Sequence, residues 1–221
     1  MRYRDKSVYE GGWMNDKKHG FGKFRLKNGE VYEGEYAEGK ACGNGKYIDD
    51  RKNIYTGQFK EDQFWGEGRE EWADTTEIKC QYINGQKEGK GIIKFPDRTK
   101  YEGEFRNDQP EGFGYYITDD YTYQGYFKDG KMNGEGVCLW NDGRKYKGKY
   151  KDDKKCGYGE FKFSNGKVYA GYWEAGRQHG DGKMIFPDGS EKAGKWENGN
   201  KILNYATESK GLDWDNRHSN F

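Results

Sequence analysis

The sequence predicts an all-β fold, an elongated and twisted single-layer antiparallel β-hairpin meander followed by a short non-repeat C-terminal tail. A 23-residue pattern recurs along most of the 221-residue chain. Within each pattern, aromatic residues and glycines alternate with polar residues at a period of two, as expected of β-strands. Dipeptides such as Asn28-Gly29, which favour tight hairpin turns, separate the alternating segments. Self-similarity at a fixed period of about 20 to 50 residues indicates a repeat architecture.

Eight full units and one half-unit can be aligned. The first residue of each full unit is tyrosine except at Ile78, glycine follows two residues later except at Cys80, and the fifth residue is aromatic in every unit. The full units begin at Tyr9, Tyr32, Tyr55, Ile78, Tyr101, Tyr123, Tyr146 and Tyr169, and the half-unit begins at Lys192. We therefore divide the chain into an N-terminal half-repeat or cap (1–8), a repeat array (9–199) and a C-terminal cap or partner-binding tail (200–221).

A pair of glycines, Gly-x-Gly, recurs in the returning segment of every full unit. A phosphate-binding loop occurs once per site, so even repetition argues against that role. Because glycine weakens a strand, we infer a packing reason: each missing Cβ leaves a trough in which a ring from a neighbouring strand lies flat. These structural glycines are Gly20, Gly22, Gly43, Gly45, Gly66, Gly68, Gly89, Gly91, Gly112, Gly114, Gly134, Gly136, Gly157, Gly159, Gly180 and Gly182.

Aromatic rings have to supply most of the buried surface. Leu, Ile, Val and Phe together account for only 29 of 221 residues, whereas aromatic residues reach 17% and Tyr alone appears 19 times. A single-layer sheet cannot bury both faces, so we expect part of an apolar strip to stay open for a partner. The candidate partner-contact aromatics are Trp13, Tyr36, Trp65, Trp173, Trp196 and Trp214.

Charge and side-chain chemistry argue against several classes of function. The 39 basic and 38 acidic residues give no basic excess, so no nucleic-acid partner is predicted. The three histidines form no recognisable catalytic arrangement, and no catalytic residue is predicted. His19 and Cys42 share a column in neighbouring units, but two strands separate them by roughly 9–10 Å. Zinc ligands lie about 2 Å from the metal, so we predict neither a metal site nor a cofactor.

The chain carries no sign of a membrane span or of secretion. It has no run of 18 apolar residues and no apolar stretch near its N-terminus. Four cysteines without a secretory signal fit a reducing compartment, so we expect a cytoplasmic protein. Lysine-rich bends such as Asp16-Lys17-Lys18 offer contacts for anionic headgroups, although interleaved acidic residues are typical of a solvated surface.

The motif Tyr-x-Gly-x-Trp, followed by Gly-x-Gly in 23-residue units, resembles the MORN (membrane occupation and recognition nexus) repeat over residues 9–199. The resemblance implies an elongated antiparallel meander without enzymatic activity of its own. Enzymes of this family carry a separate catalytic domain, for which this chain leaves no room. Stand-alone MORN proteins of this size include radial-spoke-head components of motile cilia and cytoskeletal scaffolds of parasitic protists.

We therefore expect a non-catalytic scaffold for protein–protein interaction in a multi-subunit assembly, most specifically a ciliary or flagellar axoneme complex such as the radial spoke head. A homo- or hetero-dimer with another MORN protein fits this hypothesis. The alternatives are a peripheral membrane adaptor that binds phosphoinositides and a cytoskeletal scaffold outside cilia. Salt-sensitive binding to phosphoinositide liposomes favours the adaptor. A regulatory fragment of a larger enzyme is disfavoured by the initial Met1 and the distinct tail.

Overall fold

The computed structural model describes residues 1–205, which form one open antiparallel sheet of eighteen strands. Each strand from β1 to β17 pairs with the next strand in the sequence, so the chain runs as an uninterrupted meander. The strands are β1 (Val8–Met14), β2 (Lys17–Arg25), β3 (Val31–Ala37), β4 (Lys40–Ile48), β5 (Ile54–Lys60), β6 (Gln63–Glu71), β7 (Glu77–Ile83), β8 (Gln86–Lys94), β9 (Lys100–Arg106), β10 (Gln109–Ile117), β11 (Tyr121–Lys128), β12 (Lys131–Trp140), β13 (Lys145–Lys151), β14 (Lys154–Lys162), β15 (Val168–Glu174), β16 (Arg177–Ile185), β17 (Glu191–Glu197) and β18 (Asn200–Asn204). The predicted all-β meander is confirmed. No helix that could cross a membrane is found in residues 1–205.

The two ends of the array differ in how they are finished. At the N-terminus, the backbone N–H of Tyr3 donates to the carbonyl of Ser7 (2.9 Å), and the Tyr3 ring meets Phe24 edge-on at 5.8 Å. The N-terminal segment therefore packs against β2 of the first unit. At the C-terminus, the sequence assigns only a first strand to the ninth unit, but β18 pairs with β17 and completes a shorter hairpin.

A tyrosine layer forms the core on one face of the sheet. The tyrosines that open seven of the units are at most 6% exposed. Each hydroxyl donates to the backbone carbonyl three residues later, over distances of 2.8–3.1 Å. Each ring lies across two glycines that face each other on paired strands, such as Gly125 and Gly136 beneath Tyr123. An added Cβ at Gly136 would lie 2.5 Å from the Tyr123 hydroxyl oxygen, so the glycine is required by the ring.

The first glycine of each Gly-x-Gly pair has a different role from the one predicted. These eight residues have φ angles between +57° and +89°, in the left-handed region that favours glycine. They lie where the hairpin register shifts, as Gly43 does between the pairs Gly34–Gly45 and Glu35–Cys42. None of them lies beneath a ring of the tyrosine layer. The ring-trough explanation therefore holds for the second glycine of each pair except Gly91, and it is wrong for the first glycine, which a β-bulge requires.

Contacts between rings join successive units. In seven units the fifth-position ring meets the opening tyrosine of the preceding unit edge-on, with centroids 4.8–5.3 Å apart; Phe105 is an exception, because Ile78 opens the unit before it. Such pairs contribute about 0.5–1.5 kcal/mol beyond the area they bury. Only neighbouring units touch in this way, so the array is stabilised from one unit to the next.

Unit four breaks the pattern with a compensating pair of residues. Ile78 replaces the opening tyrosine and Cys80 replaces the facing glycine, and both are buried. The Cys80 side chain occupies the space above Gly91, where an added Cβ would lie 2.6 Å from the sulfur. The absence of the ring and the presence of a side chain at the glycine position are therefore linked.

Candidate partner-binding surface

Side chains that alternate with the tyrosine layer point to the opposite face, which we call the outer face. Strand β13 shows the alternation clearly, because Tyr146 and Tyr150 are buried whereas Lys145 and Lys147 are exposed. The tyrosine layer buries its rings within the chain. The outer face therefore remains open for contact with other molecules.

A shallow trough crosses six consecutive strands on the outer face, from β5 to β10. Its volume is about 820 Å³. The floor is charged and evenly balanced, with Arg69, Lys79 and Lys90 against three glutamates. At the β10 end the lining becomes apolar and includes Phe113 and Tyr115. The trough therefore opens onto a region of different chemistry.

That region, on the outer face of β10 to β15, carries five exposed rings, which we call the aromatic platform. Its members are between 36% and 52% exposed, namely Phe113, Tyr115, Tyr126, Tyr158 and Tyr172. Phe113 meets Tyr115 and Tyr126 edge-on at 5.6 and 5.7 Å, and Tyr158 meets Tyr172 at 5.8 Å. The platform thus consists of two ring groups, one on β10–β11 and the other on β14–β15.

A row of lysines on β13 separates the two ring groups. Lys145, Lys147, Lys149 and Lys151 occupy the outer-face positions of this strand, because its sequence KYKGKYK places every second side chain there. The Lys149 ammonium lies 3.9 Å from the Glu135 carboxylate, in a pair whose side chains are about half exposed. Such a pair is screened by water and contributes little stability.

The six aromatics predicted from the sequence lie in different environments. Tyr36, Trp173 and Trp196 are buried at 4%, 8% and 3% exposure, which favours a structural role for all three. Trp13 is 44% exposed and meets the Tyr9 ring of its own unit edge-on at 5.2 Å. Trp65 is partly buried, with the Lys60 ammonium 4.2 Å above its ring. Trp214 lies outside the described residues.

The environment of Trp173 shows why burial of these rings is structural. Its indole N–H donates to the Gly159 carbonyl (3.1 Å). Its ring also helps enclose the Lys155 ammonium, which lies 4.6–5.2 Å from four ring centroids, those of Trp140, Tyr146, Phe161 and Trp173. Burial lowers the pKa of Lys155. The cation–π contacts offset part of this desolvation, and they occupy the four rings with an ammonium group of the chain itself.

Sequence reasoning missed the aromatic platform because its rings do not recur at fixed columns. A signal was present in the sequence: outer-face positions are mostly charged in the first four units, where Phe21 is an exception, whereas several of them from Phe113 onward are aromatic. Rings at regular columns lie in the core, whereas the rings of the aromatic platform lie outside those columns.

Thiols and histidines do not assemble into a reactive centre in the described part of the chain. Burial raises the pKa of Cys80 and Cys138 to about 11, so both thiols stay protonated near neutral pH. The Nδ1 atoms of His19 and His179 are buried without a hydrogen-bond partner. Within residues 1–205, no group of three or more His, Cys, Asp or Glu side chains is placed to hold a metal ion.

Comparison with solved structures shows which known fold the sheet resembles. The TCP10 domain of Danio rerio CPAP, in complex with a peptide of Danio rerio STIL, matches with a TM-score of 0.52 and 13% identity, over 90% of this chain and 98% of that chain. Another structure of the wild-type domain gives a TM-score of 0.49 and 15% identity, over 93% and 98% of the two chains. At these identities the first likeness concerns the fold alone, and the second carries no further weight.

Comparison at the sequence level identifies the family. A search of curated proteins finds no match. The model of the MORN repeat matches eight segments, at residues 9–31, 32–50, 55–77, 81–100, 101–122, 123–143, 146–168 and 169–191. These segments cover most of the chain and follow the units defined by the tyrosine and glycine columns. The chain therefore belongs to the MORN repeat family.

Proposed function

We propose that the protein is a non-catalytic scaffold whose outer face binds a segment of a partner protein. The observation that carries this proposal is the aromatic platform, where five rings stay 36–52% exposed although the opposite face already contains a closed layer of rings. Clusters of exposed rings of this kind, bordered here by the lysine row of β13, mark interaction sites. Exposed aromatic residues are also enriched at protein interfaces.

The shape of the sheet supports a partner that binds as an extended chain. The trough and the platform form one surface across eleven strands, from β5 to β15, with the tyrosine layer supporting it from behind. A rigid surface of this type costs little conformational entropy when it binds. The CPAP domain that shares this fold was solved with a peptide of STIL, which supports peptide binding as a use of such a sheet.

We further propose that the assembly is cytoskeletal and lies in the ciliary or flagellar axoneme, with the radial spoke head as the specific candidate. The support is the resemblance to stand-alone MORN proteins of similar size. A dimer with another MORN protein fits the same role.

The proposal is tested by purifying the tagged full chain from ciliated cells and cross-linking it to its partners before mass spectrometry. We expect axonemal proteins to co-purify, with cross-links at outer-face lysines such as Lys147. Binding of the protein to vesicles that contain phosphoinositides is measured in parallel, because the membrane-adaptor hypothesis requires such binding. Binding to these vesicles without any co-purifying protein would refute the scaffold. Partners confined to other cytoskeletal structures would refute the axonemal location alone.

A further inference from the structure

The chemistry of the partner segment can be inferred from the aromatic platform, and this inference rests on the proposed scaffold function. We propose that the platform and the lysine row of β13 together dock an extended segment in which acidic residues lie between two apolar residues. The two ring groups receive the apolar side chains, and the lysines receive the carboxylates.

The positive charge of the row is specific to this place in the array. The two outer-face columns that hold Lys147 and Lys149 in β13 hold Glu33 and Glu35 in β3, and a further pair of glutamates in β9. The repeat architecture therefore does not require lysine at these positions. Glu135 is the acidic neighbour that faces Lys149 from β12.

The immediate surroundings leave this region with an excess of positive charge. On β14, Glu160 faces Lys147 across the strand pair, and Lys162 faces Lys145. On β13 and β14 together the outer face carries six lysines, Lys145, Lys147, Lys149, Lys151, Lys154 and Lys162, whereas the acidic residues among them are Glu160 on β14 and Glu135 on β12. Because these groups are solvent-exposed, the excess favours an acidic ligand chiefly through association and specificity, and the interaction weakens with salt.

The ring groups give the segment a length. Three strand spacings separate β11 from β14, which corresponds to about 14 Å at roughly 4.8 Å per strand. An extended chain that crosses the strands advances about 3.3 Å per residue. The two apolar residues are therefore separated by about four positions, and the acidic residues between them pass over β13.

The test uses a phage library of random twelve-residue peptides, selected on the immobilised full chain. We expect enriched sequences to carry acidic residues between two apolar residues about four positions apart. A synthetic peptide of the enriched sequence is then titrated by fluorescence anisotropy at increasing salt. Its affinity should fall as salt rises.

Matched variants locate the site. The double variant K147E/K149E should weaken binding by about tenfold or more, because it reverses two charges beneath the acidic residues. K79E/K90E makes the same charge change in the trough and should bind as the parent does. Phe113→Ser should also weaken binding, whereas Phe21→Ser, which changes a 65% exposed ring at the equivalent position of unit one, should not. Circular dichroism verifies that each variant keeps its sheet.

Several outcomes would overturn the inference. Enrichment of basic peptides, or of proline-rich peptides without acidic residues, would contradict the proposed ligand. Loss of binding in K79E/K90E but not in K147E/K149E would contradict the proposed site. All of these outcomes leave the proposed scaffold function unaffected. Binding to phosphatidylserine vesicles that K147E/K149E abolishes, with no peptide enriched, would replace the peptide by a membrane. A dimer in light scattering that Phe113→Ser dissociates would identify a second copy as the occupant. If no peptide is enriched and no protein co-purifies, the scaffold function fails as well.

Discussion

The Gly136→Ala variant adds one methyl group beneath the Tyr123 ring and so tests whether the tyrosine layer requires glycine at this position. An added Cβ would lie 2.5 Å from both the hydroxyl oxygen and Cε2 of Tyr123, a ring that is fully buried. The backbone of Gly136 does not adopt a positive φ, so alanine is not strained there by its own conformation. The expected loss of stability therefore comes from displacement of the ring.

The magnitude follows from three contributions. Overpacking by one methyl group costs about 1–3 kcal/mol. Loss of the hydrogen bond from the Tyr123 hydroxyl to the Tyr126 carbonyl, now 3.1 Å, costs about 0.5–1.5 kcal/mol. Alanine also allows the unfolded chain fewer backbone conformations than glycine does, which stabilises the folded protein by about 0.4–1 kcal/mol. We expect the free energy of unfolding to fall by about 2–3 kcal/mol in total.

Urea denaturation, together with amide hydrogen exchange in β11 and β12, measures this loss even if the array does not unfold in one step. Gly143→Ala is the control, because its added Cβ meets no atom within 4 Å and only its φ of +85° opposes alanine. We expect that control to cost about 1 kcal/mol. Tyr123→Leu removes the phenol that reaches Gly136, so Gly136→Ala should be nearly neutral in that background. An equal cost with and without the Tyr123 ring would refute the reasoning.

Three further predictions concern other parts of the array. In unit four, Ile78→Tyr and Cys80→Gly should each destabilise the protein alone, whereas the double variant restores the arrangement of the other units. In urea denaturation, the double variant should be more stable by about 1–3 kcal/mol than the sum of the two single losses predicts. Additive losses would contradict the link between the two residues. Burial raises the pKa of the seven tyrosines that open the units above their ordinary value of about 10. As the pH rises above about 10, these tyrosines therefore ionise in the unfolded chain before they ionise in the folded protein, and the free energy of unfolding should fall. Far-ultraviolet circular dichroism and tyrosinate absorbance should then change together, and ionisation without loss of the sheet would contradict the burial. Trp196→Ala should lower the free energy of unfolding by about 3–5 kcal/mol and Trp13→Ala by about 1 kcal/mol or less, because the two side chains are 3% and 44% exposed. Equal losses in urea denaturation would contradict this dependence on burial.

The fold could be predicted because each unit repeats the same alternation, and a period of two specifies which side chains share a face. The role of the first glycines could not be predicted in this way. The register shift that gives Gly43 its positive φ depends on which residues pair across the hairpin, and pairing is not visible in one strand. Strand β18 was missed because Asn200–Asn204 lacks the Gly-x-Gly signature yet still pairs with β17.

The candidate site was predicted less well, because a recurring ring has two explanations. A ring that appears at the same column in every unit can pack against its neighbours or against a partner. The structure shows that the preceding tyrosine covers Tyr36 and Trp196, at 5.3 and 4.9 Å between centroids. Rings that recur are thus mostly core, whereas rings such as Tyr126 that break the pattern are exposed.

The pairing between units allows the array to lengthen in steps of one unit. Glycine faces glycine at almost every junction, as in Gly22–Gly34 and Gly159–Gly171. A duplicated unit therefore fits any junction without changing which side chains face outward. Each added unit contributes two strands and moves the aromatic platform about 10 Å farther from the Trp13 end. The distance between two contact surfaces can consequently change in whole steps while the surfaces themselves stay intact.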